Sequence, residues 1–431
     1  MPPTLPTEIL EQVIDASKDN RRTLAACGAA SKRLLPRSRV HLFRKLAFGA
    51  PRVDITRRTS SMYPSAHTRC DVFWDDILQA NPSLAQHVTE LALSEGGHPN
   101  LTIWWISQSA TLVPVVQRLS NLRKFTLRYG HTSEWSSVLM QTMSICIHRP
   151  SLDFVDLSGL NMPDVASLST VFTGGHPGRK LQNLRISNMG LQSDLLRLEE
   201  APGQNPLEVD SLNVTFHHDW ELERPFVDLL SGSLPLIDMS RLRHLRLTVG
   251  NDLSLVSQWL RLSADSLTQL DLKFIGDWTW RDPPVANQHF APISRLRVIR
   301  FEIHVPRAMP AVSTILRMLR AANLTDIILL SGKRGLFGAS DVFDAEWPTF
   351  DSIVSIQYFP SLTVVRFESG GTALVGEWES RLRERLPRLD NAGLLSMVHL
   401  FLLSRATAEP LFSELLDNFR VEEDQASYLL A

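Results

Sequence analysis

Apolar positions along the chain return in one short motif: an apolar residue, two others, an apolar residue, one other, and a final apolar residue. It occurs at Val88-Leu91-Leu93, Leu122-Phe125-Leu127, Leu152-Val155-Leu157, Leu181-Leu184-Ile186, Val209-Leu212-Val214, Leu242-Leu245-Leu247, Leu267-Leu270-Leu272, Leu296-Ile299-Phe301, Leu324-Ile327-Leu329 and Leu362-Val365-Phe367, with starts averaging about 30 residues apart. The last two apolar residues alternate with others, as on a strand with one buried face, and the first tucks under the preceding turn. Between the strands, the amphipathic stretches 135–147, 225–230, 253–262, 311–319 and 378–386 predict covering helices. No such unit buries its apolar face alone, so stacking is required.

Ahead of the repeats the periodicity is helical. Ile9, Leu10, Val13 and Ile14 make one stripe behind a cap expected at Thr7. Residues 24–30 are small enough for close helix packing, Pro36 is expected to stop or kink what precedes it, and residues 39–46 carry a third stripe through Leu42, Phe43 and Leu46. The segments Leu5-Pro6-Thr7-Glu8-Ile9-Leu10 and Leu24-Ala-Ala-Cys27-Gly-Ala-Ala-Ser-Lys-Arg-Leu34-Leu35-Pro36-Arg37-Ser-Arg39-Val-His41-Leu42-Phe43-Arg44 resemble an F-box, with Leu34 where that family carries a Trp. The resemblance covers about one tenth of the chain. It implies docking on the Skp-family adaptor of a cullin complex through Leu5, Pro6, Ile9, Leu10, Val13, Leu34, Leu35 and Pro36. The alternative is a helical cap that closes the first repeat, since arrays need polar-faced ends.

The repeats in turn resemble leucine-rich repeats of a long, irregular kind, with Asn188 the nearest match to that family's post-strand Asn. The expected fold is therefore α/β: a small N-terminal helical F-box-like module (1–50), a connecting segment (51–83), a solenoid with inner parallel strands and outer helices (84–389), and a C-terminal helical cap (390–431). Two insertions interrupt the period, 276–292 with Trp278, Trp280 and Phe290, and 331–350 with Phe337, Phe343 and Trp347. Their aromatics either anchor a partner or fold back on the array.

Composition narrows the function without naming it. A net charge of -2 over 431 residues exerts no global pull on nucleic acid or anionic membrane. Residues 18–58 nevertheless carry twelve Lys/Arg against Asp19 and Asp54, a patch suited to an acidic protein partner. Without interleaved aromatics, nucleic acid is not the expected ligand. Three cysteines at irregular spacing form no disulfide framework or zinc signature. No leader-like or membrane-length apolar run is present, so a cytoplasmic or nuclear location is expected.

No catalytic motif stands out, and neither an enzyme, a metal nor a cofactor is expected. Gly174-Gly-His-Pro-Gly178 lacks the Gly-Lys-Ser/Thr of a phosphate loop and reads as a turn, while the adjacent His217 and His218 diverge too much to chelate. Side chains between the last two apolar positions should line the concave face. Among them Asp156, Arg185, Asn213, Arg246, Asp271, Arg300 and Arg366 are candidates for contacting a partner, because a guanidinium fork matches carboxylate or phosphate. Joined to the F-box resemblance, this implies the substrate receptor of an SCF-type ubiquitin ligase holding a protein substrate; the alternative is a repeat scaffold without ligase association.

Overall fold

The structure is a computed structural model that describes residues 5–49, 66–95, 105–130, 132–173, 180–191, 206–215, 236–249, 254–274, 290–303, 308–331, 346–354, 358–369 and 375–399. The chain divides into two compact units, Met1–His176 with Arg405–Ala431, and Pro177–Ser404. In both, strands pair in parallel in the order in which they occur along the chain.

The first unit opens with three helices, α1 (Thr7–Ala16), α2 (Arg21–Ala30) and α3 (Leu35–Phe43). The N-cap of α1 is Pro6, not Thr7: the Pro6 carbonyl takes the first helical hydrogen bond, from the Leu10 N–H at 3.3 Å, which puts Thr7 inside the first turn. Asn20 caps α2 by accepting from the Thr23 N–H at 3.0 Å. Pro36 neither stops nor kinks a helix. It sits in the first turn of α3, where a missing N–H costs nothing.

Leu46, expected on the third helix, instead begins the buried side of strand β1 (Lys45–Gly49). β1 pairs with β2 (Glu90–Ser94), which pairs with β3 (Lys124–Arg128), which pairs with β4 (Phe154–Ser158). The sheet thus begins inside the segment read as the helical module. Behind the strands lie α4 (Ala66–Val72) with a following π-helical turn (Phe73–Leu78), α5 (Trp105–Gln108), α6 (Leu112–Arg118), α7 (Ser137–Ile147) and α8 (Val165–Thr173). Arg149 ties one repeat to the last by donating to the terminal carbonyls of α6, including that of Val116 at 2.7 Å.

Among the described residues the second unit carries, besides the two-residue strands Gly190–Leu191 and Ile237–Asp238, eight longer strands: β5 (Lys180–Ser187), β6 (Leu207–Thr215), β7 (His244–Val249), β8 (Gln269–Phe274), β9 (Val298–Ile303), β10 (Asp326–Ser331), β11 (Val364–Ser369) and β12 (Leu395–His399). Its helices are α9 (Ser254–Leu262), α10 (Met309–Met318), α11 (Trp347–Ile353), α12 (Val375–Arg385) and α13 (Pro387–Asn391). In all ten motifs found by periodicity the last two apolar residues fall on strands, and within the second unit they pair motif to motif: Leu245 faces Leu270, Leu270 faces Ile299, and Ile299 faces Ile327. A one-residue slip would turn every buried side chain outward, so the pattern itself fixes the register. Each fully buried Leu, Ile or Phe is worth roughly 1.5–3 kcal/mol before ordering costs.

β12 occupies sequence read as the start of a helical cap, and Leu395 and Met397 stand opposite Val365 and Phe367. The expected helix at 225–230, His217, His218, and the turn at 174–178 lie outside the described residues, as do Trp278, Trp280, Phe337 and Phe343. From the two insertions Phe290, Trp347 and Phe350 are described, and all three are fully buried. Trp347 and Phe350 meet Phe367 at ring distances of 6.0 and 6.4 Å, so these aromatics fold back on the array. Asp351, on α11, accepts from the Arg388 and Leu389 N–H groups at 3.0 and 3.1 Å and so caps α13 from a distance.

Candidate interaction surfaces

Leu5, just ahead of the Pro6 cap, and Ile9 and Val13, one turn apart on α1, are three large apolar side chains at the surface. They are 60%, 43% and 56% exposed, while Ile14, one position round the helix, is buried with Leu24 and Leu42. Pro6 and Pro36 are exposed, Leu10 is half-buried. Leu34 and Leu35 turn the other way: Leu34 packs with Phe43 against the buried trio, and a Cβ on Gly28 would stand 3.3 Å from Leu35. The proposed adaptor set therefore splits into an outward group and a pair engaged in the module's own packing.

Polar ties that the sequence did not announce hold these helices. Arg37 makes two 2.6 Å hydrogen bonds to Asp15, and His41 Nε2 lies 2.7 Å from the same carboxylate. The Arg37 and His41 bonds keep the Asp15 carboxyl well below the usual carboxylate range. Arg21 reaches across to donate to the Leu42 carbonyl at 2.8 Å.

Parallel register converts the predicted concave row into a physical ladder. Arg185, Asn213, Arg246, Asp271, Arg300, Ile328 and Arg366 stand side by side on β5 to β11. In the first unit Asp156 sits opposite Thr126 and pairs with Arg128 at 2.9 Å. Most of the arginines are already engaged. Arg246 crosses β8 to reach Glu302 at 2.6 Å, with Lys273 on the same carboxylate at 3.1 Å. Arg300 crosses β10 to Glu368 at 2.9 Å, and Arg366 lies 3.9 Å from Glu368.

Asp271 takes hydrogen bonds from His244 at 3.1 Å and Gln269 at 3.0 Å. Burial pushes its carboxyl up, but these bonds outweigh burial and leave it below its ordinary value. Asn213 accepts from the Thr215 hydroxyl at 3.4 Å. Arg185 is exposed and has no side-chain partner among the described residues. The two carboxylates that pair with the row, Glu302 and Glu368, lie two residues beyond Arg300 and Arg366 on β9 and β11, and no sequence signal marks them as its partners.

Among the described residues no three His, Cys, Asp or Glu side chains converge as a metal site, and no helix is long and apolar enough to cross a membrane. Cys70 and Cys146 are buried and Cys27 is half-buried; burial pushes the Cys70 thiol up, away from nucleophilic character. What the described surface offers is docking geometry: exposed apolar side chains on and just ahead of α1 and a charged ladder on the second unit. No protein-family model matches the chain, and no curated protein matches it in sequence.

Proposed function

We propose that the chain is a substrate-receptor subunit of an SCF-type ubiquitin ligase, in which the N-terminal helices recruit a Skp-family adaptor and the cullin complex while the repeats hold a protein substrate. The observation that carries this reading is the exposure of Ile9 and Val13, one turn apart on α1, and of Leu5 just ahead of it, on a helix that buries Ile14 in the module's core. Turn-spaced exposed apolar side chains are what a helix-binding groove takes up. The F-box resemblance of the same segment supplies the partner.

A second reading, a repeat scaffold closed by a helical cap, is favoured by two particulars. Leu34, at the position of the family's Trp, packs against the module's own core, and α3 runs directly into the first strand of the sheet. Co-purification of the full chain with a Skp-family adaptor separates the two. The receptor reading expects a complex that Leu5→Asp with Ile9→Asp abolishes, the variant retaining the wild-type circular dichroism spectrum because both positions are exposed. Absence of a complex with the wild-type chain at micromolar concentrations overturns the receptor reading in favour of the scaffold.

A further inference from the structure

We propose that the second unit binds an acidic, extended segment of a partner protein in a groove along the starting edge of its strands, separate from the ladder on the sheet face. The groove has a volume of about 890 Å³ and is bordered by Arg243, Arg295 and Arg297 together with serine, threonine and amide side chains. No carboxylate lines it. All three arginines are exposed, and none makes a side-chain hydrogen bond or ion pair with a described residue.

The geometry follows from the repeat. Two positions before the first apolar residue of each strand, one carbonyl accepts two successive N–H groups from the next repeat: Arg243 from Thr268 and Gln269, then Thr268 from Arg297 and Val298, then Arg297 from Thr325 and Asp326. Along this edge Arg243, Thr268, Arg297 and Thr325 alternate, one per strand. The threonine hydroxyls are engaged locally, Thr268 donating to the Arg243 carbonyl at 2.9 Å and Thr325 lying within donating distance of the Asp326 carboxylate at 2.6 Å and of the Arg297 carbonyl at 3.0 Å. Ser266 likewise donates to the Leu242 carbonyl at 2.8 Å. The guanidinium groups are thus the groove's charged donors, each offering a planar fork that fits a carboxylate.

The equivalent edge of the first unit shows that the repeat does not force this arrangement. There Arg44, Thr89, Arg123 and Asp153 occupy the same rungs, so the row contains its own carboxylate, and Arg44 lies 3.5 Å from Glu90. The second unit's row also holds a carboxylate, Asp210, whose carbonyl accepts from the Arg243 N–H at 2.8 Å, but that carboxylate pairs with Lys180 at 2.7 Å, and the four positions Arg243, Thr268, Arg297 and Thr325 carry none.

Spacing identifies the class of ligand. Arg243 and Arg297 are rooted two strands apart, roughly 10 Å, which is the reach of about three residues of extended chain. One anionic group every third residue of an extended segment therefore meets both forks, whereas a single phosphate would satisfy one. Single-stranded nucleic acid is the poorer match, because the lining holds no aromatic ring on which a base could stack.

The experiment is fluorescence anisotropy on the full chain with a labelled peptide of repeating Glu-Ser-Gly, beside a peptide of the same composition whose glutamates are contiguous, and beside a labelled oligothymidylate. The expected result is binding of the spaced peptide in preference to both, weakening as salt rises from about 20 mM to about 150 mM. Arg243→Gln with Arg297→Gln should weaken it roughly fivefold to tenfold. Both arginines are exposed, so a thermal melt matching wild type is expected. Arg261→Gln, an exposed position on α9 of the same unit, should leave binding unchanged. Equal binding of the two peptides, tighter binding of the oligothymidylate, an equal loss from Arg261→Gln, indifference to the double variant, or no binding at low salt would each overturn the proposal. None of these outcomes depends on the adaptor.

Discussion

The three N-terminal helices share a buried core of Ile14, Leu24 and Leu42, tied together at the surface by Asp15, Arg37 and His41. Each strand from β6 to β11 instead buries at least two apolar side chains, and those from β6 to β10 meet two neighbours that do the same. The helical module relies on a few particular contacts, so one lost side chain removes a large part of what it has. The repeats spread their stability over register, so a lost side chain damages its neighbours in proportion to how tightly the rungs are coupled. One region has specificity concentrated in named residues, and the other has it distributed in a pattern.

The largest effect should come from the coupled rungs. Phe301 is fully buried on β9 and stacks on Phe274 of β8 at 6.1 Å. Phe301→Ala should cost roughly 3–5 kcal/mol. Hydrogen exchange should show lost protection on β8 and β10 as well as β9. Loss confined to β9 would mean that the rungs are less coupled than their register implies.

Ile14→Ala tests the concentrated case. It removes one of three core side chains and should cost about 2–4 kcal/mol. Exchange should rise throughout α1 to α3, while β3 and β4 in the same unit keep their protection. Equal loss on β3 and β4 would make the helices an integral end of the sheet, which is what the cap reading requires.

The same contrast governs what could be read from the chain in advance. Ten strands are legible because alternation needs only neighbours in sequence. Two further long strands are not: Leu46 and Phe48 alternate correctly, but Leu46 also completes the helical stripe through Leu42 and Phe43, and Leu395 and Met397 lie in a nearly continuous apolar run that masks the period. Asn188, singled out as the family-like position, has φ 53°, and Tyr129 and Gly159, at the same place in the two preceding repeats, have φ 55° and 63°. Glycine takes this conformation freely, asparagine readily, and tyrosine at a cost, so a motif search keyed on Asn finds one of the three. On the candidate surfaces, periodicity places Ile9, Leu10, Val13 and Ile14 on one stripe, and only the packing separates exposed Ile9 and Val13 from buried Ile14. The state of the arginines is not legible from periodicity either. Glu302 and Glu368 lie 56 and 68 residues from Arg246 and Arg300, and only parallel register brings them together. The edge arginines Arg243 and Arg297, three residues before Arg246 and Arg300, went unremarked because no periodic signal separates a paired cation from an unpaired one.

The smallest effect separates polar ties from packing within the helical module. Asp15 is held below the usual carboxylate range by hydrogen bonds from Arg37 and His41. A carboxyl whose folded value is depressed lends stability that is complete above its unfolded value, near pH 4, and is lost as pH falls toward the folded value. Asp15→Asn keeps the side-chain shape but cannot form the charged fork with Arg37. Thermal melts followed by circular dichroism should therefore place the variant below wild type at pH 7 by a modest margin, as expected for an exposed pair. The gap should narrow steadily once pH drops below about 4, as the wild-type carboxylate takes up its proton. Added salt at pH 7 should narrow it too, by screening. A gap independent of both pH and salt would assign Asp15 a purely steric role and leave Ile14, Leu24 and Leu42 as the sole determinants of the module's fold.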